Sequence, residues 1–528
     1  MSSAKAASAL DTPTPDRDKV PLLQKSAFGA GQFVLNLLPG ALSFFQFFLL
    51  TAFGIDPFLA GLLSGLPRIF DAVTDPIMGF ISDNTKSRWG RRRPYIFVGA
   101  IASAVLFALL WQMDDANGST YNFWYFLLFS LIFLIGNTMY ATPLVGLGYE
   151  MTSDYKERTR IQAFGQTAGQ LAWVVVPWFW VIIADPDVFE SQEVGVRTMA
   201  LYVAGICAVL GILPAIFCKG IDASNMGNRK EISFKTMFTN LTDLWEGIKE
   251  VSNNKPFLKL CGATFLVFNG FQMVASFSVF IIVFYLYDGS YEAASTWPAW
   301  FSTITALLTA FLIIPIISWM ANSFGKRKAF IISTGISMVG YVLKWWGFDR
   351  ELNEEFNETG LGQSLNSGTA ALFEWMNPFL ESVGMDWFTI NTDVTAPWLM
   401  FLPVPLIAFG MGGLFTLMMS MTADVCDLDE LENGMPRKEG TFGAIYWWMV
   451  KLGQALALVI GGAVLSWVGF EGDSATQTAE TMHSLRIADI WIPAATAGLA
   501  MIVMWSYSLT EERAEEITKE LVKRRGKL

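Results

Sequence analysis

Twelve uninterrupted apolar runs, each long enough to cross a bilayer as a helix, constrain this chain more than any other feature. They lie at about 26–54, 57–82, 94–113, 121–149, 159–184, 196–218, 256–287, 294–321, 327–347, 396–421, 441–468 and 486–509, and about twenty apolar residues suffice for ~30 Å of hydrocarbon. The runs are continuous rather than alternating segments of about ten residues, so helices fit and a β-barrel does not. Composition agrees. Of 528 residues, 53% are hydrophobic and only 16% charged, against about a quarter charged in soluble proteins. A soluble multidomain chain and a disordered one are both excluded. Cys207, Cys218, Cys261 and Cys426 fall in or beside apolar runs, so no disulfide framework is implied. His483 is the sole histidine and cannot build a His-based metal centre. Residues 1–25 are polar, lack the apolar core of a secretory signal, and read as a cytoplasmic tail.

The basic residues give an orientation. Of the 36 Lys and Arg, 30 fall in the two tails and the loops on one side, three on the other (Arg197, Arg350, Arg486) and three within runs (Arg68, Lys344, Lys451). Such a bias marks the cytoplasmic side. It implies an even number of spans with both termini inside.

The expected fold is an all-α integral membrane protein with twelve transmembrane helices in two six-helix halves. Residues 26–218 form the N-terminal half, 256–509 the C-terminal half, and 510–528 a second cytoplasmic tail. The connection 219–255 carries Phe234, Met237, Phe238, Leu241, Leu244, Trp245, Ile248 and Val251 at helical spacing. It is expected to lie as an amphipathic helix on the inner membrane surface. The halves echo one another: Trp89-Gly90-Arg91-Arg92-Arg93 follows the second run and Phe324-Gly325-Lys326-Arg327-Lys328 the eighth. Two six-span halves are the major facilitator layout. A long acidic outer loop, about 348–395, is expected to hold a short helix near Ala371–Leu380. It reads as a surface insertion or as a lid over the outer entrance.

Ionisable groups inside a membrane are functional candidates by default. In the second run Arg68, Asp71 and Asp75 share one helix face at i, i+3 and i+7. Two carboxylates one turn apart repel unless a cation lies between them or one is protonated. That suits Na⁺ or H⁺; an alternative is an ion pair of Arg68 with Asp71 that only locks helices. Asp71 lies twelve residues, about 18 Å, from Asp83 at the inner end, and Thr138 sits twelve residues from Glu150. Asn36, Gln166 and Lys451 lie at similar depth, where transporter sites are found. Trp448 and Gln454 flank Lys451 at i−3 and i+3. An aromatic plate, a cation and an amide on one face suit a polyhydroxylated ligand, while an ion pair is the competing reading of Lys451. The charged inner loops offer gate pairs: Asp83 and Arg92 in one, Glu150 and Arg158 in the next, with Arg68 the candidate at mid-depth. No phosphate-cradling glycine loop occurs, so nothing points to an ATP-driven pump.

Asp71-Ala-Val-Thr-Asp75-Pro76-Ile-Met-Gly79, Lys86-Ser-Arg88-Trp89-Gly90 and Thr138 five residues before Pro143 resemble the glycoside–pentoside–hexuronide:cation symporters of the major facilitator superfamily. Asp424-Val-Cys-Asp427, followed by Gly434, Arg437 and Glu439-Gly440, is similar to that family's inner loop after span ten. The resemblance implies a cation site at Asp71, Thr74, Asp75 and Thr138, with Na⁺ held by Asp71 and Asp75 if the ion is sodium. It implies sugar contacts at Asn36, Ala141, Val145, Gln166 and Lys451, of which only the lysine matches the family's residue type.

The expected function is secondary active import of a sugar or glycoside with Na⁺ or H⁺, by alternating access. Alternatives are a transporter of a lipid-like or drug-like solute on the same fold, and a passive facilitator. A membrane-embedded enzyme finds no Ser/His/Asp set or metal cluster to support it. The expected partners are a small solute, the coupling cation and the lipid bilayer, with no nucleic acid and no cofactor. A monomer in a cell membrane, the bacterial inner membrane, is expected.

Overall fold

The computed structural model describes residues 19–152, 155–186, 188–219, 254–294, 296–382, 390, 395–433, 439–472 and 474–525, with single positions between 232 and 249. Among these the chain is helical and forms twelve long helices, ten of them long and apolar enough to cross a membrane, and we number the twelve as spans. The first six are Leu22–Thr51, Pro57–Asn84, Arg93–Leu110, Ser119–Glu150, Tyr155–Ala184 and Gln192–Phe217. The second six are Lys255–Leu286, Tyr291–Phe324, Lys326–Gly347, Val404–Asn433, Glu439–Trp467 and Ala479–Trp505. We call the end carrying the basic loops the inner end.

Local chemistry sets the span ends. The side chains of Asp56, Ser191, Asn254 and Thr478 each cap the first free amides of the helix that follows, the strongest local start signal a sequence carries. Prolines interrupt the interiors, among them Pro67 and Pro76 in the second span and Pro143 in the fourth. Packed membrane helices tolerate them because neighbours re-satisfy the freed backbone.

The packing has a six-span period. The first span packs on the fifth and sixth, the third on the fourth and sixth, and the second on the fourth. In the other half the seventh packs on the eleventh and twelfth, the ninth on the tenth and twelfth, and the eighth on the tenth. Between halves, the second meets the eleventh and the fifth meets the eighth, a pairing that exchanges under the same shift.

Braces at the span ends repeat with it. At the inner end Gly90 and Gly325 both take positive φ, 89° and 84°. Nearby, Arg93 donates to the carbonyls of Ala215 and Ile216 that close the sixth span, and Arg327 to those of Met504 and Trp505 that close the twelfth. At the outer end Arg197 opens the sixth span and holds Asp114 and the Met113 carbonyl. Its counterpart Arg486 holds Asp349 and the Trp345 carbonyl.

The close contacts between halves run from the outer ends to mid-depth. A Cβ on Gly61 would stand 2.8 Å from the Leu458 carbonyl oxygen, and one on Gly65 2.6 Å from that of Ala455. Only glycine permits this backbone approach of the second and eleventh spans. Ring pairs close the rest: Phe47 on Phe280 at 4.9 Å, Trp178 on Trp300 at 5.1 Å and Trp180 on Tyr291 at 6.2 Å. The protein is therefore closed on its outer side.

Several expectations are corrected. The twelfth span begins at Ala479 rather than 486, so Arg486 is a buried span residue and not a loop residue. The tenth begins at Val404, after a single turn Trp398–Phe401. The outer loop is largely helical, with Arg350–Glu358 and Gly360–Ser382. The C-terminal segment forms the helix Glu511–Arg525, which buries Ile517 and Leu521 and packs on the tenth span. All eight residues of the 219–255 stripe lie outside the described residues.

Candidate functional site

Pro67 and Pro76 bracket two turns of the second span, and those turns present Arg68, Asp71, Thr74 and Asp75. The fourth span packs alongside and brings Thr138 and Thr142. The Thr138 hydroxyl donates to Asp71 Oδ1 at 3.1 Å, and the Thr142 hydroxyl to Asp75 Oδ1 at 3.2 Å. The Thr74 and Thr138 hydroxyls lie 3.1 Å apart. The four residues assigned to a cation thus converge, with Thr142 as a fifth oxygen donor. Thr142 follows Thr138 by four residues, and that helical spacing was the available signal.

Lys451 reaches this cluster from the eleventh span. Its Nζ donates to Asp71 Oδ2 at 2.6 Å and also to Asp75 Oδ2. The lysine grouped on sequence with a substrate surface is therefore held by the carboxylates of the cation cluster, in the ion-paired form. Two carboxylates and one ammonium leave a formal charge of −1. Asp71, Asp75 and Lys451 are 18%, 34% and 24% exposed, so water-accessible space reaches the cluster.

Arg68 continues the same face outward. It donates to Gln454 Oε1 at 3.3 Å and to Ser43 Oγ at 3.1 Å, joining the first, second and eleventh spans rather than pairing with Asp71. A cavity of about 50 Å³ lined by Arg68, Asp71, Ser64, Ser130 and Asn137 lies beside it. Asn36 donates to the Gln32 carbonyl at 2.9 Å and accepts from the indole of Trp173 at 3.1 Å. Sequence reading missed Trp173, whose neighbour Gln166 is two turns away on the fifth span and exposed. Trp448 is half-buried on the eleventh span. The larger cleft, about 510 Å³, lies elsewhere, at the inner end between the tenth span and the C-terminal helix, where Lys326 pairs with Asp424 at 2.7 Å.

Of the inner-loop pairs, Arg92 with Asp83 forms, while Glu150 is held by Arg91 and Arg92 of the preceding loop. Arg92 bonds Glu150 at 2.7 Å and Asp83 at 2.7 Å, and Arg91 Nε bonds Glu150 at 2.6 Å. Gly146 makes room for the Arg92 guanidinium, which a Cβ there would meet at 1.0 Å. All of these groups belong to one half. They brace the second, third and fourth spans, and they do not bolt the two halves together. The side chain of Arg158 lies outside the described residues, as do Gly434 and Arg437. Its neighbour Glu157 is buried and bonds Lys25 at 2.6 Å and the Val20 amide at 3.0 Å, tying the N-terminal segment to the fifth span. A fully buried pair also joins Lys344 of the ninth span to Asp489 of the twelfth, with Ser278 as a second partner at 3.2 Å.

Residues 27–511 match the family model of MFS/sugar transport proteins. The isoprimeverose transporter of Lactiplantibacillus pentosus is 23% identical over 502 residues, covering 93% of this chain and 90% of that protein. The sodium-dependent lysophosphatidylcholine symporter 1 of Gallus gallus is 22% identical over 545 residues, covering 96% and 90%. Among solved structures, an inward-facing, occupied bacterial homologue of the human lysosomal transporter Spinster superposes with a TM-score of 0.60 at 13% identity, covering 95% of this chain and 99% of that one.

Proposed function

Because this chain belongs to the family of MFS/sugar transport proteins, a transporter rather than an enzyme, we propose that it imports a sugar or glycoside together with Na⁺ or H⁺. One observation carries the coupling: Lys451 of one half sits between Asp71 and Asp75 of the other while the outer side is closed. An ammonium held where two carboxylates converge competes with any other cation. When Na⁺ enters, Asp71 and Asp75 with the hydroxyls of Thr74, Thr138 and Thr142 supply hard oxygens for it. Lys451 is then released from the second span, and the tie between halves at mid-depth is lost. A proton on one carboxylate weakens the same tie by removing one of its two charges. Sodium is favoured over a proton by the number of hydroxyl oxygens gathered there.

The solute contacts the polar groups that line the same depth: Asn36, Gln166, Trp448, Gln454 and Lys451 once released. Arg68 closes this region on its outer side. The inner-loop groups Asp83, Arg92 and Glu150 keep the inner ends of the N-terminal half in register as the halves swing. The protein works as a monomer in the cytoplasmic membrane of a bacterium, with both termini inside.

A second reading, a lipid-like solute, is favoured by the match to a lysophosphatidylcholine symporter over almost the whole chain and by the apolar Ala141 and Val145 at two positions implied for sugar contact.

Uptake into proteoliposomes under an imposed Na⁺ or pH gradient tests these readings, with isoprimeverose, glucuronides and lysophosphatidylcholine as solutes. Uphill accumulation of a glycoside that disappears in Asp71→Asn and in Asp75→Asn is the expected result. Gradient-driven accumulation that survives in both variants overturns the role of the pair. Accumulation of the lipid and none of the glycosides establishes the second reading, and equal uptake with and without a gradient a passive facilitator.

A further inference from the structure

The outer helix Gly360–Ser382 has three faces. At about 100° per residue, Gly362, Asn366, Phe373 and Asn377 lie on one side, and that side is held by the protein. Phe373 is buried against Trp297 and stacks on Trp300 at 6.4 Å. The Asn366 side chain accepts from the Trp398 indole at 2.8 Å, and Asn377 exchanges two hydrogen bonds with the backbone of Ile390. The second side carries Gln363, Ser367, Glu374 and Glu381, all exposed. The third holds Leu361, Leu365, Leu372, Trp375 and Phe379 within an arc of about 80°. These five are 37–68% exposed, and Trp375 stacks on Phe379. Gly368 falls in the middle of that stripe, and a Cβ on it would meet nothing within 4 Å.

A soluble surface does not carry five large apolar side chains in one row without a partner. The place of the helix says which. Phe373 fixes it at Trp297 and Trp300, where the eighth span begins, and Asn366 fixes it at Trp398 beside the start of the tenth. Tryptophans at span ends mark the boundary between water and lipid. Farther along the eighth span Phe311, Leu312 and Trp319 are exposed, and they face the acyl chains. The helix that carries the stripe is fixed at the outer end of this same span. It consists of Leu, Trp and Phe, the residues of interfacial helices. The only charged residues of the helix, Glu374 and Glu381, are on the polar side.

We infer that Gly360–Ser382 is an interfacial helix docked on the outer leaflet, with its stripe sunk among the outer ends of the acyl chains. Its second attachment is the outer gate itself. Phe373 stacks on Trp300, and Trp300 closes against Trp178 of the other half. The leaflet therefore supports the same ring stack that seals the outer side.

The test uses the full-length protein in liposomes of phosphatidylethanolamine and phosphatidylglycerol. Single cysteines are introduced on the stripe (Leu365→Cys, Leu372→Cys, Phe379→Cys) and on the polar side (Gln363→Cys, Ser367→Cys, Glu374→Cys). Each carries a nitroxide; the four native cysteines are buried. Collision with oxygen, which concentrates in lipid, is compared with collision with a water-soluble nickel chelate. A ratio of oxygen to nickel collisions several-fold higher on the stripe than on the polar side is expected. Equal ratios on the two sides overturn the proposal, because the helix then stands in water. Protection of the stripe from both reagents, with dipolar broadening between labels on different molecules, also overturns it, because a second copy of the chain then covers the stripe.

Discussion

Lys451 and Asp71 lie 380 residues apart in the chain and 2.6 Å apart in space, and the bond between them joins one six-span half to the other. It stands at the depth where the outer contacts between halves end. Closure of the outer side and the neutralisation of Asp71 by lysine are thus parts of one arrangement.

Lys451→Gln removes the competing ammonium and leaves Asp71 and Asp75 without a counter-charge. Cation affinity in the purified protein is expected to rise, by the ~5–150-fold that separates coupled sites in general. Titration with Na⁺ followed by intrinsic fluorescence or calorimetry reads this directly. An unchanged or weaker Na⁺ affinity in a well-folded variant shows that lysine and ion do not compete.

Gly65→Leu places a side chain where the Ala455 carbonyl already stands 2.6 Å from a single added carbon. The second and eleventh spans can then no longer meet, and the outer side stays open. Transport is lost while solute binding from outside persists. An impermeant thiol reagent directed at a cysteine replacing Ser43 reacts faster in this variant than in the parent. Equal rates contradict the closure derived from the glycine contacts.

Lys344 and Asp489 are both essentially excluded from solvent. Removing one member strands a buried charge, which destabilises by about 3–5 kcal/mol, while replacing both by apolar groups is often neutral. Thermal unfolding in detergent is expected to show a large fall for Lys344→Met and a much smaller one for Lys344→Met combined with Asp489→Leu. Additive losses indicate that the two groups do not form a unit.

Glu157 lies before Arg160–Ala184, the stretch of the fifth helix apolar enough to cross the membrane; burial pushes its carboxyl up, but the hydrogen bonds from Lys25, the Val20 amide and Arg160 outweigh it and hold the group below the ordinary carboxylate range. A lowered folded value means that the attachment is complete above the unfolded value of ~4.3 and is lost as pH falls through the folded one. Protection of the amides at residues 19–25, measured against the intrinsic exchange rate at each pH, stays high at neutral pH and is lost only in acid below that range. Glu157→Gln exchanges fast at neutral pH. Fast exchange in the parent at pH 6 contradicts the assignment.

The spans were legible because hydrocarbon thickness writes itself into run length, and Asp71, Thr74, Asp75 and Thr138 because charge and hydroxyl groups stand out inside such runs. Their convergence was suggested by equal depth alone. Depth does not say which face of the eleventh span looks at which face of the second, so Lys451 was grouped with Trp448 and Gln454, its own helical neighbours. Asp489 escaped notice because, in a run started at 486, it stands only three residues from the span's end, whereas the helix begins at Ala479 and carries it a further two turns inward to Lys344. Only Ala371–Leu380 of the outer helix was read, since Gly360–Ala370 is rich in Gly, Ser and Asn. Side-chain bonds such as Asn366 to Asn357 at 3.1 Å hold that first half in place, and propensity does not register them.

Every oxygen gathered around Asp71 and Asp75 comes from the second and fourth spans, which pack on one another within the same half and are braced at the inner end by Arg92 and Glu150. A swing of the halves therefore leaves the distances among these oxygens unchanged. On the proposed reading, an ion seated there would travel as a passenger of one rigid body, with its coordination shell intact through the cycle. What the swing alters is the field at the shell, as the single positive charge of the opposite half approaches or withdraws.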